Sequence, residues 1–313
     1  MEKKYNLGPS PHIRTDEKVN TIMRDVIIAL LPAAAAGIYF FGVRAFYVMA
    51  VSVITAVLTE TICQKVMKSN LEISDGSAVI TGILFSFVVT PTIPLWMAAI
   101  GAFVAVALGK MVFGGLGHNI FNPALIGRAF LMASWLGAMT KWVNTDGTAG
   151  ATVLGVLKME NYDKVVKMFG TTSDMYWNLF IGNRGGCIGE TSVLALLIGA
   201  AYLVYRKHIT LHTPVVYIGT VFMLSWAAGQ DPLMAVMAGG IVLGAFFMAT
   251  DLVTTPYTVT GKLIFGLGAG ILVVLIRTKG GYPEGVCYSI LIMNAVTPLI
   301  NRYTKPKAFG EVK

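Results

Sequence analysis

Charge is what this chain has least of. Only 13% of its 313 residues are Asp, Glu, Lys or Arg, against about 25% in soluble domains. With 55% hydrophobic residues and a mean hydropathy of +0.69, that deficit excludes an ordinary water-soluble globule. Cysteine is nearly absent too. Cys63, Cys187 and Cys287 lie far apart, with no C-x-x-C pair and no haem-attachment motif, which argues against iron–sulfur or zinc ligation by this chain alone. Cys63 and Cys287 read as buried apolar thiols. No G-x-G-x-x-G turn opens a soluble βαβ unit, so the chain is not expected to bind a nicotinamide cofactor. The histidines lack metal spacing, and His208 and His212 read as interfacial residues beside Arg206 and Lys207. No small-residue cleavage site follows the first apolar run, so that run is expected to remain as a span.

Apolar runs of membrane-spanning length are what fills the chain. They predict an all-α, polytopic helical membrane protein with about ten transmembrane helices. The expected spans are 25–41, 45–66, 76–89, 95–113 and 120–139, then 190–205, 213–228, 233–250, 261–276 and 283–300. The third is short, bounded by Ser74-Asp75-Gly76-Ser77 and Thr90-Pro91-Thr92-Ile93-Pro94. It reads as a broken or half helix, which membranes tolerate where backbone lines a buried site. Trp96, Trp135, Trp142, Trp177 and Trp226 fall near span ends, as in an aromatic belt.

The net charge of +8 fits cytoplasmic loops rather than nucleic acid, since Lys and Arg collect inside and set orientation. With both termini inside, Lys3, Lys4, Arg14, Lys18, Arg24, Lys65, Lys68, Lys110, Arg206, Lys207, Lys262, Arg302, Lys305, Lys307 and Lys313 are all cytoplasmic. The polar segment 140–188 is then extracytoplasmic. Five spans on either side of it give two halves, 25–139 and 190–302, of opposite orientation, the arrangement of inverted repeats. Internal echoes support that: Asn119-Ile-Phe-Asn122-Pro123 parallels Asn294-Ala-Val-Thr297-Pro298, and Gly114-Gly115 parallels Gly280-Gly281.

Three constellations could carry chemistry. The first is the run Thr145-Asp146-Gly147-Thr148-Ala149-Gly150-Ala151-Thr152-Val153-Leu154. Small Ala149, Gly150 and Ala151 leave room around the Thr152 hydroxyl for a bulky group and for the enzyme needed to attach it. Asp146 could orient that enzyme's metal–phosphate donor. On composition alone the stretch reads first as a Gly/Thr-rich loop. The second runs from Phe113 to Arg128. Its glycines permit unusual backbone, and Asn119, Asn122 and Pro123 suit a helix start; the two amides could equally bond the edge of a polar ring. Arg128 would pair internally or hold a phosphate. The third is the set of acids at membrane depth. Asp251 is the best candidate ligand contact, with an interfacial cap as its bland reading. Glu60 could couple to an ion, and Glu190 fits a helix N-terminus.

Gly150-Ala151-Thr152-x-Leu154, preceded by Asp146, resembles the signature at which FMN is attached to Thr through a phosphoester. Together with Pro11-His12-Ile13-Arg14, Pro91 to Trp96, Phe113 to Phe130, and Tyr282-Pro283-Glu284-Gly285 leading to Asn294, it gives a resemblance over nearly the whole chain. The chain is similar to the RnfD family, membrane components of the Rnf complex, the ion-translocating ferredoxin:NAD oxidoreductase. It is similar, more distantly, to the B component of the sodium-translocating NADH:quinone oxidoreductase. The resemblance implies a multi-pass electron-transfer protein in a bacterial inner membrane, with covalent FMN on Thr152. It also implies a non-covalent riboflavin at Asn119, Asn122 and Asp251. Partners would be the flavin-bearing RnfG component, the iron–sulfur components RnfA, RnfE, RnfB and RnfC, and a flavin transferase; no nucleic acid is implied. One departure is Ala149, where the family often has Ser; Ala still permits the turn. Rival readings are an inverted-repeat small-solute transporter or channel, against which the flavin motif argues, and a flavin-free structural membrane component, which a test for attached flavin separates.

Overall fold

The computed structural model describes residues 18–68, 75–160 and 162–306. The Pro11–Arg14 motif, Ser74 and the ends of both charged termini lie outside them. Among the described residues the protein is helical without a named strand. Four stretches are long and apolar enough to cross a membrane: α1 (Val19–Phe41), α2 (Val43–Val66), Leu95–Phe113, which opens with α4 (Leu95–Ala107), and α14 (Val259–Lys279). Between α2 and α4 lies α3 (Ser77–Phe87), 11 residues long. At 1.5 Å per residue it spans about half the hydrocarbon core, and nine of its residues are buried. The broken helix expected there is thus a short, enclosed one.

The other expected spans are helical with interruptions. Asn122 caps α5 (Pro123–Ser134) by accepting from Leu125 N, and Pro123 opens its first turn. Trp135 breaks that span before α6 (Leu136–Met139). The span expected at 233–250 divides into α12 (Pro232–Met237) and α13 (Ile241–Leu243), running on as a π-helical turn at Gly244–Met248. The break falls at Ala238-Gly239-Gly240, where Gly239 has φ 73°. The bundle is completed by α10 (Val193–Tyr205), α11 (His212–Ala227) and α15 (Val286–Thr304).

Segment 140–188 is more ordered than a polar connection. It holds α7 (Val153–Met159), α8 (Tyr162–Phe169) and α9 (Thr172–Ile181). These close over a small core of their own, in which Val153, Leu154, Val165, Met175 and Leu179 pack with Met234 and Ala238. The main core draws on both sides of that segment, from Ala29 and Leu30 to Ile290 and Ile300.

Small residues set the closest helix contacts, as is usual in membranes. A Cβ on Gly82 of α3 would lie 2.6 Å from Val53 Cα of α2, and one on Gly199 of α10 would strike the Ala29 carbonyl of α1. The paired asparagine motifs touch as well: Asn294 Oδ1 accepts from Asn122 N at 3.1 Å.

Candidate functional site

Thr152 does not sit on a slack loop. Val143 and Ala149 form a bridge, Asn144 N donates to Thr148 O, and Gly150 N donates to Trp142 O. The run from Thr145 to Thr148 is therefore the tip of a tight turn, with Gly147 at φ 82°. Asp146 is spent on that tip, accepting from the Thr148 amide (2.9 Å) and hydroxyl (2.6 Å). These bonds, led by the hydroxyl, hold its carboxyl below the ordinary value of 3.8. Gly150 is needed for space, because a Cβ would come within 2.7 Å of the Asn144 side chain. Thr152 follows as the N-cap of α7, its Oγ1 accepting from Gly155 N at 3.1 Å. Lys158 fastens α7 to the chain before α15 by donating to the carbonyls of Gly280 and Tyr282.

Thr152 borders a cleft whose floor is charged. Arg128 of α5 donates to Glu190 Oε1 at 2.8 Å and also to Glu284 Oε2. Two further arginines brace the same acids through their backbones. Arg184 donates to the carbonyls of Glu190 (2.8 Å) and Thr191 (3.2 Å), and Arg277 to those of Glu284 (3.0 Å), Ala235 and Ala238. Each acid thus follows an arginine by six or seven residues with a Gly-Gly pair between, Arg184…Gly185-Gly186…Glu190 and Arg277…Gly280-Gly281…Glu284. Three guanidiniums and two carboxylates thus gather in one cluster, a cation in excess, and Arg128 and Arg184 of that cluster border the cleft with Thr152. Cys187, Glu190 and Glu284 bring potential ligand atoms within 4.8 Å of one another. The cation among them is already Arg128, bonded to both carboxylates.

A second cavity lies toward the start of α1. Asn119, Asn122 and Asp251 line it together, with Lys110, Ser77 and His208. Met23 and Val26 of α1 border it, whereas Tyr39 to Gly42 at the far end of that helix border the turn carrying Asp146. The 23 residues of α1 set the two ends about 34 Å apart. Lys110 is buried, with Nζ 2.7 Å from Glu60 Oε1 and 2.5 Å from Ser77 Oγ; Ser77 in turn donates to Asp75. Asn119 stands in the turn before α5 rather than at a helix start, its Nδ2 donating to Phe121 O. Asp251 follows the π-helical turn and accepts from Thr254.

The residues singled out in the sequence therefore divide three ways. Thr152 and Arg128 share one cleft; Asn119, Asn122 and Asp251 share the other cavity; Asp146 sits apart on an exposed turn, and Gly150 and Ala151 link it to Thr152. One expectation is corrected: Cys63 is only partly buried, although Cys287 is fully so. His208, in the turn after α10, has its ring against Asp25 at 2.8 Å, and Asp25 also draws in Arg206 and Tyr202. The roles of Lys110, Arg184, Arg277 and Glu284 were missed. Their signal was present, since each is a charge in or beside an apolar stretch and needs a partner there.

Apolar spanning helices, close glycine contacts and charges paired inside the bundle define the class: a helical integral membrane protein. The chain matches the family described as NQR2, RnfD, RnfE over residues 6–310, and it belongs to that family. It is 51% identical, over 98% of its length and 96% of the relative's, to the D component of the proton-translocating ferredoxin:NAD(+) oxidoreductase complex of Clostridium ljungdahlii. It is 44% identical to the D component of the Na(+)-translocating ferredoxin:NAD(+) oxidoreductase complex of Acetobacterium woodii, over 100% of this chain and 97% of the relative. A third relative, the D component of the ion-translocating oxidoreductase complex of Stutzerimonas stutzeri, is 36% identical over 93% of this chain and 92% of its own length.

Proposed function

We propose that this chain is the membrane electron-transfer component RnfD of an ion-translocating ferredoxin:NAD oxidoreductase, carrying FMN covalently on Thr152. The observation that carries the reading is the position of Thr152, after a braced turn and at the rim of a cleft that borders a cluster of three arginines and two glutamates. The site suits such a group. Thr152 is half-buried, so its hydroxyl can be reached, and among the described residues Oγ1 donates to no protein acceptor. The excess guanidinium charge favours a phosphodiester beside it. When bound, FMN supplies the electron transfer, while the protein sets its position and potential. Gly150 and Ala151 keep the attachment point clear, and Lys158 holds α7 against the cleft wall.

The cavity at the other end suits a second, non-covalent riboflavin. Asn119 and Asn122 offer amide groups to a polar ring edge, Asp251 offers a carboxylate acceptor, and Lys110 adds a buried ammonium. In this reading about ten spans form two inverted five-helix units, 25–139 and 190–302, with both termini cytoplasmic in a bacterial cell membrane. The direct Asn122–Asn294 bond between the two echoing motifs supports the pairing of those units. Partners are the remaining components of the complex, flavin-bearing and iron–sulfur, with a flavin transferase for maturation. Redox transfer through the complex drives Na⁺ or H⁺ across the membrane.

The test is a denaturing gel viewed under ultraviolet light, using protein co-expressed with a flavin transferase. The parent gives a fluorescent band at 33.6 kDa that disappears in Thr152→Val. A dark parent band defeats the covalent-flavin reading.

A further inference from the structure

One wall of the Thr152 cleft is aromatic. Tyr282 and Tyr288 stack, with ring centroids 5.2 Å apart and planes inclined by 28°, and both border the cleft. Tyr288 is carried by α15, and Tyr282 by the turn that Lys158 fastens to α7. The wall and the Thr152 helix are therefore fixed to each other. A residue bordering the cleft carries a buried polar atom with nothing to bond. Thr191 is 1% exposed, and its Oγ1 has no hydrogen-bond partner. Native proteins rarely leave a buried hydroxyl unpaired. A lipid tail lying in the cleft would leave it so, whereas a flat ring with polar edges would satisfy it and cover the tyrosine face as aromatic pairs prefer.

We propose that this cleft seats the planar three-ring system of the group carried on Thr152, with the Tyr282–Tyr288 pair as its stacking wall and Thr191 Oγ1 as a hydrogen-bond partner. The inference rests on the attachment at Thr152 proposed above. Both tyrosines and Thr191 are positioning residues here. Arg128, Glu190 and Glu284 form the floor beneath the ring, and the excess positive charge of the arginines around it favours added negative charge in the ring over its absence.

Two readouts on the matured, purified protein separate attachment from seating. Gel fluorescence after denaturation reports attachment. Fluorescence of the native protein reports seating, because a tyrosine in contact with an excited flavin ring quenches it by donating an electron. The native parent is expected to emit several-fold less than the same protein unfolded. Tyr282→Phe/Tyr288→Phe keeps the packing but removes the electron donors, and is expected to restore most of that emission with the gel band unchanged. Trp142, which also borders the cleft, is expected to have little part in the quenching, so Trp142→Phe leaves the native yield low. Thr191→Val is expected to shift the visible absorption bands of the attached flavin without dimming the gel band. The proposal is overturned if the double Phe variant stays as dark as the parent, or if Trp142→Phe is the change that releases emission. Unshifted bands in Thr191→Val remove the hydrogen bond from it. A parent without a gel band removes the attachment and the seat together.

Discussion

Arg128 on α5 and Glu190, three residues before α10 begins, form a buried ion pair at 2.8 Å that joins the chain before segment 140–188 to the chain after it. Glu284 takes the other terminal nitrogen of the same guanidinium. Neither acid has another cation at its carboxylate among the described residues, so the ionic link between α5 and the later chain rests on one arginine. Removing one member of a buried ion pair leaves an uncompensated charge, at a cost of about 3–5 kcal/mol. Arg128→Gln is therefore expected to lower the thermal unfolding midpoint in detergent strongly. Glu284→Gln is expected to cost less, since its amide oxygen can still accept from Gly240 N. An unchanged midpoint in Arg128→Gln would show that the pair does not hold the two parts together.

The Lys110–Glu60 pair behaves differently under double substitution. Lys110→Met takes the ammonium away from the buried Glu60 carboxylate of α2, again at about 3–5 kcal/mol. Adding Glu60→Gln removes the uncompensated charge, and the amide keeps acceptor capacity toward Gln64. The double variant is expected to be more stable than Lys110→Met alone. Additive losses around this mutant cycle would contradict a direct coupling.

Asp231 anchors the small core below Thr152. Its Oδ1 caps α12 by accepting from Met234 N, and its Oδ2 accepts from the hydroxyls of Tyr162 on α8 and Tyr176 on α9. Asp231→Ala loses the cap, worth about 1 kcal/mol, and both tyrosine bonds. Amide hydrogen exchange is expected to accelerate across α8 and α9 while α14 is unaffected. Burial, reinforced by Asp231, raises both phenols above their ordinary value of 10. Spectrophotometric titration should accordingly find these two tyrosines ionising at lower pH in Asp231→Ala than in the parent.

Asp146 makes the turn before Thr152 sensitive to acid. Its carboxyl is held below 3.8 by its bonds to Thr148, so the ionised form is the one the folded turn favours. That contribution is complete above the unfolded value and is lost as pH falls through the folded one. Pepsin nicking of residues 143–149 is expected to rise with acidification below 3.8 in the parent. Asp146→Asn, which has no charge to lose, should show little pH dependence; the same profile in both proteins would contradict the assignment.

Much of the helix inventory was legible in the residues. Apolar runs located α1, α2, α4 and α14, and the Asn122-Pro123 pair marked the start of α5. The breaks were less visible. Ala238-Gly239-Gly240 interrupts an apolar run because Glu284, 44 residues later, captures the Gly240 amide, and nothing local announces that partner. Segment 140–188 looked like a connection because its helices are short. They are stabilised by a core completed by Met234 and Ala238, not by their own propensity.

The same division holds for the candidate site. By itself the sequence determined the membrane class and the family and singled out Thr152, since hydrophobic length and short motifs are local properties. Only the tertiary structure decided what faces Thr152. Arg128, Glu190, Thr191, Tyr282, Glu284 and Tyr288 come from separate stretches of chain, and buried charges and hydroxyls find partners by proximity in space. Asn119, Asn122 and Asp251 were united in the same way in the cavity that Lys110 also lines. A charge in an apolar run announces that it must be paired; the packing of the helices determines with what.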